Sequence, residues 1–263
     1  MRMTHALGVV VVATGCAEEP KAPLARVDLR VALGADAVDP VGVAIAPDGG
    51  RFVFDRALGL YQITESGAVA VVPMSALPDP GIELKLPFTD ITAISPGVFA
   101  LTAIGDGFLL DTAAMTLTQH FCYLPTGLPA DYTQHTDAIA YDAELERLYA
   151  QPVTFDAEGV LQWSQVASYS RDTGDSIEWY SVDAQVAATA MVIVPGAGLV
   201  LGQGAQLAGV DLTTGQRMPL DSLERFGIQS IDGLAVDRAR GTLIVVDSTS
   251  DELVEIELAS LTL

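Results

Sequence analysis

The feature of this sequence that most restricts its fold is a segment that recurs five times. Each copy has a small or acidic residue, a short apolar strand and then a turn with Pro, Asp or Gly. The copies are Val41–Asp48, Asp90–Gly97, Asp137–Asp142, Thr189–Gly196 and Asp232–Asp237. They start 49, 47, 52 and 43 residues apart. A period of this length is typical of a four-stranded β-propeller blade.

Two further apolar strands follow each copy. The second strands lie at 51–54, 98–101, 147–150, 199–201 and 241–246, and the third at 59–63, 108–110, 163–169, 207–210 and 252–256. Short strands rich in Val, Ile and Leu and separated by Gly, Pro and Asp indicate antiparallel β-meanders. The sequence therefore predicts an all-β, five-bladed propeller. A six-bladed propeller is the alternative, if a degenerate blade lies between residues 151 and 188.

The last copy leaves too few residues for a complete blade, because the chain ends at Leu263. Residues 25–33 alternate between apolar and polar side chains, as a strand does. We therefore expect this N-terminal strand to complete the final blade. Such closure removes the sheet edges that would otherwise be exposed to other chains.

Residues 184–210 carry no charge and are numerous enough for a membrane helix. Five Gly and Pro residues between positions 195 and 204 divide this stretch, and it lies in register with repeats that do carry charge. We therefore expect a buried blade here.

The first 16 residues have the layout of an export signal, with Arg2, an apolar run at 6–13, and then Ala13-Thr14-Gly15-Cys16. Small residues before a cysteine resemble a bacterial lipobox, which implies that Cys16 carries a lipid. Ala17, after the cysteine, resembles outer-membrane sorting. A plain signal peptide with an incidental cysteine is the alternative. We expect residues 1–16 to be the signal segment, 17–25 a tether, and 26–263 one propeller domain in an outer-membrane-anchored lipoprotein that faces the periplasm or the surface.

The chain has 34 acidic and 13 basic residues, a formal net charge of −21. Such a chain repels nucleic acid and anionic lipid, so we expect membrane contact only through the lipid anchor. It attracts metal ions and cationic ligands, although the charge also serves to keep an apolar β-protein soluble. We expect a monomer, with an envelope protein or a small molecule as its partner.

The remaining chemistry-bearing residues give few signals. Cys122 is expected to be a small buried side chain, and Trp163 and Trp179 to pack within one blade. His120 and His135 have no cysteine partner that would indicate a zinc site. The sequence contains no nucleophile elbow or P-loop.

The run Asp232–Asp237, Gly241–Asp247 and Glu252–Ile256 resembles NHL-type and regucalcin/gluconolactonase-like propeller blades, and Asp137–Ala150 is similar. The resemblance implies a propeller. It also implies metal ligands at strand starts, and Asp232 resembles one such position.

The five aligned leading residues of the copies are Val41, Asp90, Asp137, Thr189 and Asp232. If each begins an innermost strand, Asp90, Asp137 and Asp232 converge on the central channel, and oxygen ligands of this kind suit Ca²⁺. The alternative is that these residues cap turns in solvent. Val41 and Thr189 stand where the related family has glutamate and asparagine ligands.

Two functions follow from these observations. The first is an envelope binding or scaffold propeller without a catalytic set, and the alternative is a metal-dependent lactonase-like or esterase-like hydrolase that uses the acidic ring. A glycoside hydrolase using the same three aspartates is a weaker possibility, because aromatic residues make up only 6% of the chain. No catalytic residue is named by the sequence.

Overall fold

A computed structural model describes residues 22–81, 87–122, 132–180 and 187–263. The signal segment and Cys16 lie outside these residues. The described chain forms five antiparallel sheets, the blades of a five-bladed propeller. The predicted fold class is confirmed.

The chain begins with β1 (Ala25–Asp28) and the short helix α1 (Leu29–Leu33). Blade 1 is β2 (Pro40–Ile45), β3 (Arg51–Asp55), β4 (Gly59–Thr64) and β5 (Gly67–Pro73). Blade 2 is β6 (Phe88–Ser95), β7 (Val98–Ala103), β8 (Asp106–Asp111) and β9 (Thr116–Cys122). Blade 3 is β10 (Thr133–Asp142), β11 (Arg147–Phe155), β12 (Leu161–Ser164), β13 (Val166–Ser170) and β14 (Ser176–Tyr180).

Blade 4 is β15 (Ala190–Val194), β16 (Gly198–Gln203), β17 (Gln206–Val210) and β18 (Arg217–Ser222). Blade 5 is β19 (Ile231–Asp237), β20 (Thr242–Asp247) and β21 (Glu252–Glu257), with β1 as its fourth strand. Short 3-10 turns lie at Met74–Ala76, Leu223–Phe226 and Leu258–Ser260. Among the residues that the structure describes, no helix has the length and apolarity needed to span a bilayer.

The predicted closure is confirmed, because β1 pairs antiparallel with β21 in a register that sets Ala25 opposite Glu255 and Asp28 opposite Glu252. The closing strand is shorter than the nine residues expected. The Asp28 side chain accepts a hydrogen bond from the amide of Val31 (3.1 Å) and starts a helical turn, which Gly34 ends at a positive φ of 66°. This turn buries Leu29 between blades 5 and 1.

Other expectations need correction. No sixth blade lies in the described part of 151–188, where the extra strand β12 joins the sheet of blade 3 instead. The strand expected at 163–169 is broken at Gln165, because β12 pairs with the C-terminal part of β11 and β13 pairs with its N-terminal part. Cys122 is exposed rather than buried, since it lies at the end of the outermost strand of blade 2.

Within residues 22–81, 87–122, 132–180 and 187–263, the buried apolar side chains form five clusters, and each lies between two neighbouring blades. The seam between blades 1 and 2 is aromatic, with the Phe52 and Phe99 rings 4.8 Å apart and the Phe54 and Phe88 rings 5.2 Å apart, both edge to face. Because side chains alternate across each strand, the inner strands pack on both neighbours and enclose a central channel.

Candidate functional site

The inner strands begin with irregular pairing at one end of the channel. Beta-bulges interrupt the registers of β2, β6 and β19 near their first residues, and that of β10 in mid-strand, between Thr136 and Ile139. At this level five side chains, which we call the rim layer, line a small cavity of about 80 Å³ together with Arg56. The rim layer consists of Val41, Thr89, Asp137, Thr189 and Asp232. A bulge re-aims a side chain locally, and here bulges turn four of these residues to the channel mouth. The fifth, Thr189, directly precedes β15, which pairs regularly.

The two rim threonines join neighbouring blades in the same way. The Thr89 hydroxyl donates to the carbonyl oxygen of Thr136 in blade 3, and the Thr189 hydroxyl donates to the carbonyl oxygen of Ile231 in blade 5. Each acceptor directly precedes a rim aspartate. The rim threonines are therefore engaged in holding the ring together.

The two rim aspartates have different surroundings. Burial raises the pKa of the Asp137 carboxyl to about 6, although the nearby charges of His135 and Arg56 lower it. The Nδ1 atom of His135 lies 3.9 Å from Asp137 Oδ1. Asp232 instead accepts a hydrogen bond from the Ser248 hydroxyl at 2.5 Å. The narrow end of the channel thus carries one carboxyl group near Arg56 and His135, and one held by a hydroxyl.

Asp90 lies one layer deeper than the rim, since the bulged residue of blade 2 is Thr89. Its side chain is 1% exposed. Its Oδ2 atom accepts the amide of Ile139 in blade 3 at 2.9 Å, and Oδ1 accepts the amide of Ile91 at 2.8 Å. Burial raises the pKa of the Asp90 carboxyl well above its usual range; these two amides oppose the shift, and the charge of Asp232 adds to it.

The residues level with Asp90 in the other inner strands are all small: Gly42, Ala138, Ala190 and Gly233. We call these five residues the plug layer. A methyl group on Gly42 would lie 2.7 Å from Asp90 Oδ1, and one on Gly233 would lie 2.7 Å from the Cα atom of Gly42. Gly42 therefore leaves room for the Asp90 carboxyl, and Gly233 allows the inner strands of blades 5 and 1 to approach closely.

This geometry bears on the predicted calcium site at Asp90, Asp137 and Asp232. All three are near the narrow end, but Asp90 has both oxygens on backbone amides and Asp232 is bonded to Ser248. In the described ranges, no three His, Cys, Asp or Glu side chains are grouped so that they could hold one metal ion. Calcium binding stays a prediction.

The opposite end of the channel is wider. It opens into a cavity of about 450 Å³, which we call the wide cavity. Two successive layers of the inner strands form its wall. The deeper layer is Ala44, Thr92, Ala140, Val192 and Ala235, and the outer layer is Ile45, Ala93, Tyr141, Ile193 and Val236. Four of the five outer-layer side chains are large, and Ala93 is the exception.

Charged side chains lie only at the mouth of the wide cavity, where Asp48, Asp237 and Arg238 contribute to its lining. Asp237 is buried and lies 3.7 Å from both Arg51 and Arg240. Ligand sites are usually concave, largely apolar and of about 300–1,000 Å³. The wide cavity lies within this size range and has apolar side chains along its inner layers with polar groups at its mouth, whereas the narrow cavity is too small.

No family model matches this sequence, and no curated protein matches it. Among solved structures, a gluconolactonase from Xanthomonas campestris aligns with a TM-score of 0.51 and 11% identity over 83% of this chain and 86% of that one. The likeness supports the fold.

Two further solved structures align with TM-scores below 0.5. A chain of the mitotic checkpoint complex aligns at a TM-score of 0.46 and 10% identity over 96% of this chain and 98% of that one. The extracellular domain of a hybrid two-component system from B. thetaiotaomicron aligns at 0.42 and 10% identity over 81% of this chain and 26% of that one.

Sequence reasoning missed three features of the channel. It aligned Asp90 with the rim, where Thr89 lies, because a bulge shifts the register by one residue. It also missed Arg56, which donates to the carbonyl oxygen of Phe88 at 2.8 Å and so reaches the rim from the turn after β3. The sequence analysis did not predict the wide cavity. The small residues that recur in the inner strands, Ala44, Ala93, Ala140 and Ala235, could have indicated it.

Proposed function

We propose that this chain is a non-enzymatic binding protein of the bacterial cell envelope, and that its ligand inserts an apolar group into the wide cavity. The observation that carries the proposal is the contrast between the two channel ends. One end is a cavity of about 80 Å³ above a buried carboxyl, and the other is a cavity of about 450 Å³ walled by apolar side chains. Burying an apolar group in such a cavity gains about 25 cal/mol per Å² removed from water.

A neutral apolar fluorophore, N-phenyl-1-naphthylamine, tests this proposal by titration. We expect saturable binding at one site. Ala93→Leu should abolish it, because the added carbons enter the cavity, whereas Ala70→Leu on the exposed outer strand β5 should leave it unchanged. Absence of saturable binding to the unaltered chain would overturn the proposal.

The envelope location rests on the N-terminal sequence and on the resemblance of Ala13–Cys16 to a lipobox. Labelling with radioactive palmitate in a bacterial host tests it. We expect label in the unaltered chain and none in Cys16→Ser. Label in neither chain would remove the lipid anchor from the proposal while leaving the cavity test unaffected.

A metal-dependent lactonase-like or esterase-like hydrolase is the second candidate, in line with the resemblance to NHL-type and regucalcin-like blades. The observation in its favour is the position of Asp137 and Asp232 in the rim layer, with Asp90 beneath them. Thermal unfolding with and without calcium, followed by a lactone hydrolysis panel with Asp232→Asn, tests it. An unchanged unfolding temperature together with unchanged hydrolysis would exclude this candidate.

A further inference from the structure

The wall of the wide cavity excludes charge from its interior. Its two layers hold apolar side chains with Thr92 and Tyr141 as the polar members. Burying an unpaired charge among such groups costs far more than a binding site recovers, so the inserted part of a ligand must be neutral. Since a cavity of about 150 Å³ holds benzene, the wide cavity at about 450 Å³ has room for a chain of roughly eight carbons. Any charge on the ligand must remain at the mouth.

The charges at the mouth are unequally satisfied. Asp237 lies 3.7 Å from Arg51 and from Arg240, and Arg238 lies 3.3 Å from Glu144. Asp48 differs, because its Oδ1 atom accepts the amide of Gly50 at 3.0 Å and no cation in the described ranges is paired with it. Asp48 is also exposed. One negative charge is therefore left over at the edge of the cavity.

The net charge of the whole chain also favours a cationic ligand. A net charge of −21 raises the local concentration of cations and lowers that of anions. The effect is strongest at low ionic strength, because the Debye length falls to about 8 Å at physiological salt. This negative potential would repel an anionic amphiphile before it reached Arg238.

We propose that the occupant of the wide cavity is an amphiphile with an apolar body and a cationic end, and that Asp48 receives the cationic end at the mouth. This inference rests on the proposed binding function and adds the chemical class of the ligand. The apolar body supplies affinity through burial. The carboxylate of Asp48 selects the sign of the head group.

Competition against N-phenyl-1-naphthylamine tests the inference with three probes that share one alkyl chain: octylammonium, octanol and octanoate. At low salt and pH 7 we expect octylammonium to displace the fluorophore at a concentration at least threefold lower than octanol, and octanoate to be the weakest. At 0.5 M NaCl the three should converge. Asp48→Asn should remove most of the preference for octylammonium, since asparagine keeps the size and the acceptor for Gly50 but not the charge.

The matched control is Asp36→Asn, which removes one charge from an exposed residue in the loop after α1. We expect it to leave the preference unchanged. Equal losses in Asp48→Asn and Asp36→Asn would overturn the assignment to Asp48. Equal displacement by octylammonium and octanol would overturn the ligand class while the proposed function stands. Failure of the fluorophore to bind at all would instead overturn the proposed function.

Discussion

An ion pair whose partners are 204 residues apart in sequence crosses the seam between blades 1 and 5. Arg51 in blade 1 lies 2.9 and 3.0 Å from the two carboxylate oxygens of Glu255 in blade 5. The Arg51 and Glu255 side chains are 16% and 8% exposed. Thr242 donates a further hydrogen bond to Glu255 at 3.2 Å. Burial raises the pKa of Glu255, but Arg51 and Thr242 outweigh it and the pKa lies below its usual range.

Arg51→Met removes the cation and keeps most of the apolar stem. Removing one partner of a buried ion pair costs about 3–5 kcal/mol. Arg51 is partly exposed and Arg240 still lies 3.8 Å from Glu255, so we expect a loss of about 2–3 kcal/mol. For a domain of this size the melting temperature should fall by about 5–10 °C. Urea denaturation and calorimetry measure both quantities.

The control is Arg240→Met, the same change at an arginine that is 60% exposed, which should cost less than about 1 kcal/mol. The loss in Arg51→Met should also depend on pH. A depressed pKa in the folded state stabilises the protein above the ordinary glutamate pKa, and this contribution disappears as the pH falls through the folded-state value. The difference in the free energy of unfolding between the unaltered chain and Arg51→Met should therefore become smaller below about pH 4. Equal losses in both variants, or a gap that does not change with pH, would refute the reasoning.

Three other outcomes are expected. Gly233→Ala should lower the free energy of unfolding, measured by urea denaturation, by about 2 kcal/mol or more, because the new methyl group would lie within 2.8 Å of backbone atoms of Gly42 and Val43. Gly209→Ala should leave it nearly unchanged, since the nearest atom to its methyl group lies at 3.5 Å. Asp90→Ala should lower the free energy of unfolding by about 2–4 kcal/mol, because two buried amides lose their acceptor. Asp90→Asn should lower it by less, because its single carbonyl oxygen replaces one of the two acceptors, and equal losses would contradict this. The Asp137 carboxyl should titrate near pH 6 in carbon-detected NMR, and a midpoint near 4 would exclude the argument that burial raises its pKa. Its folded-state pKa exceeds the unfolded value of about 3.9. This group should therefore increase the stability of the fold as the pH falls through 6.

Much of the fold could be predicted because its signals are local. Alternating apolar residues and Gly, Pro and Asp turns specify strands and hairpins within a few residues, and their fivefold recurrence specifies blades. The shortage of one strand at the C-terminus and the alternation at residues 25–33 predicted the closure. The first part of that segment does form β1. The second part turns helical because Asp28 caps it and because Leu29 finds a buried position between blades 5 and 1.

The sequence by itself predicted an all-β propeller closed by its own N-terminus, with five blades and six as the alternative, and it located the acidic residues near one end of the channel. Only the tertiary structure decided which of them faces the mouth. A β-bulge displaces the register by one residue, and this set Thr89 at the rim and Asp90 at the centre. The depth of a side chain depends on the neighbouring strands, and these come from distant parts of the chain. The room for Asp90, for example, is left by Gly42 of the neighbouring blade. For the same reason the wide cavity and the Arg51–Glu255 pair appear only when all five blades are assembled.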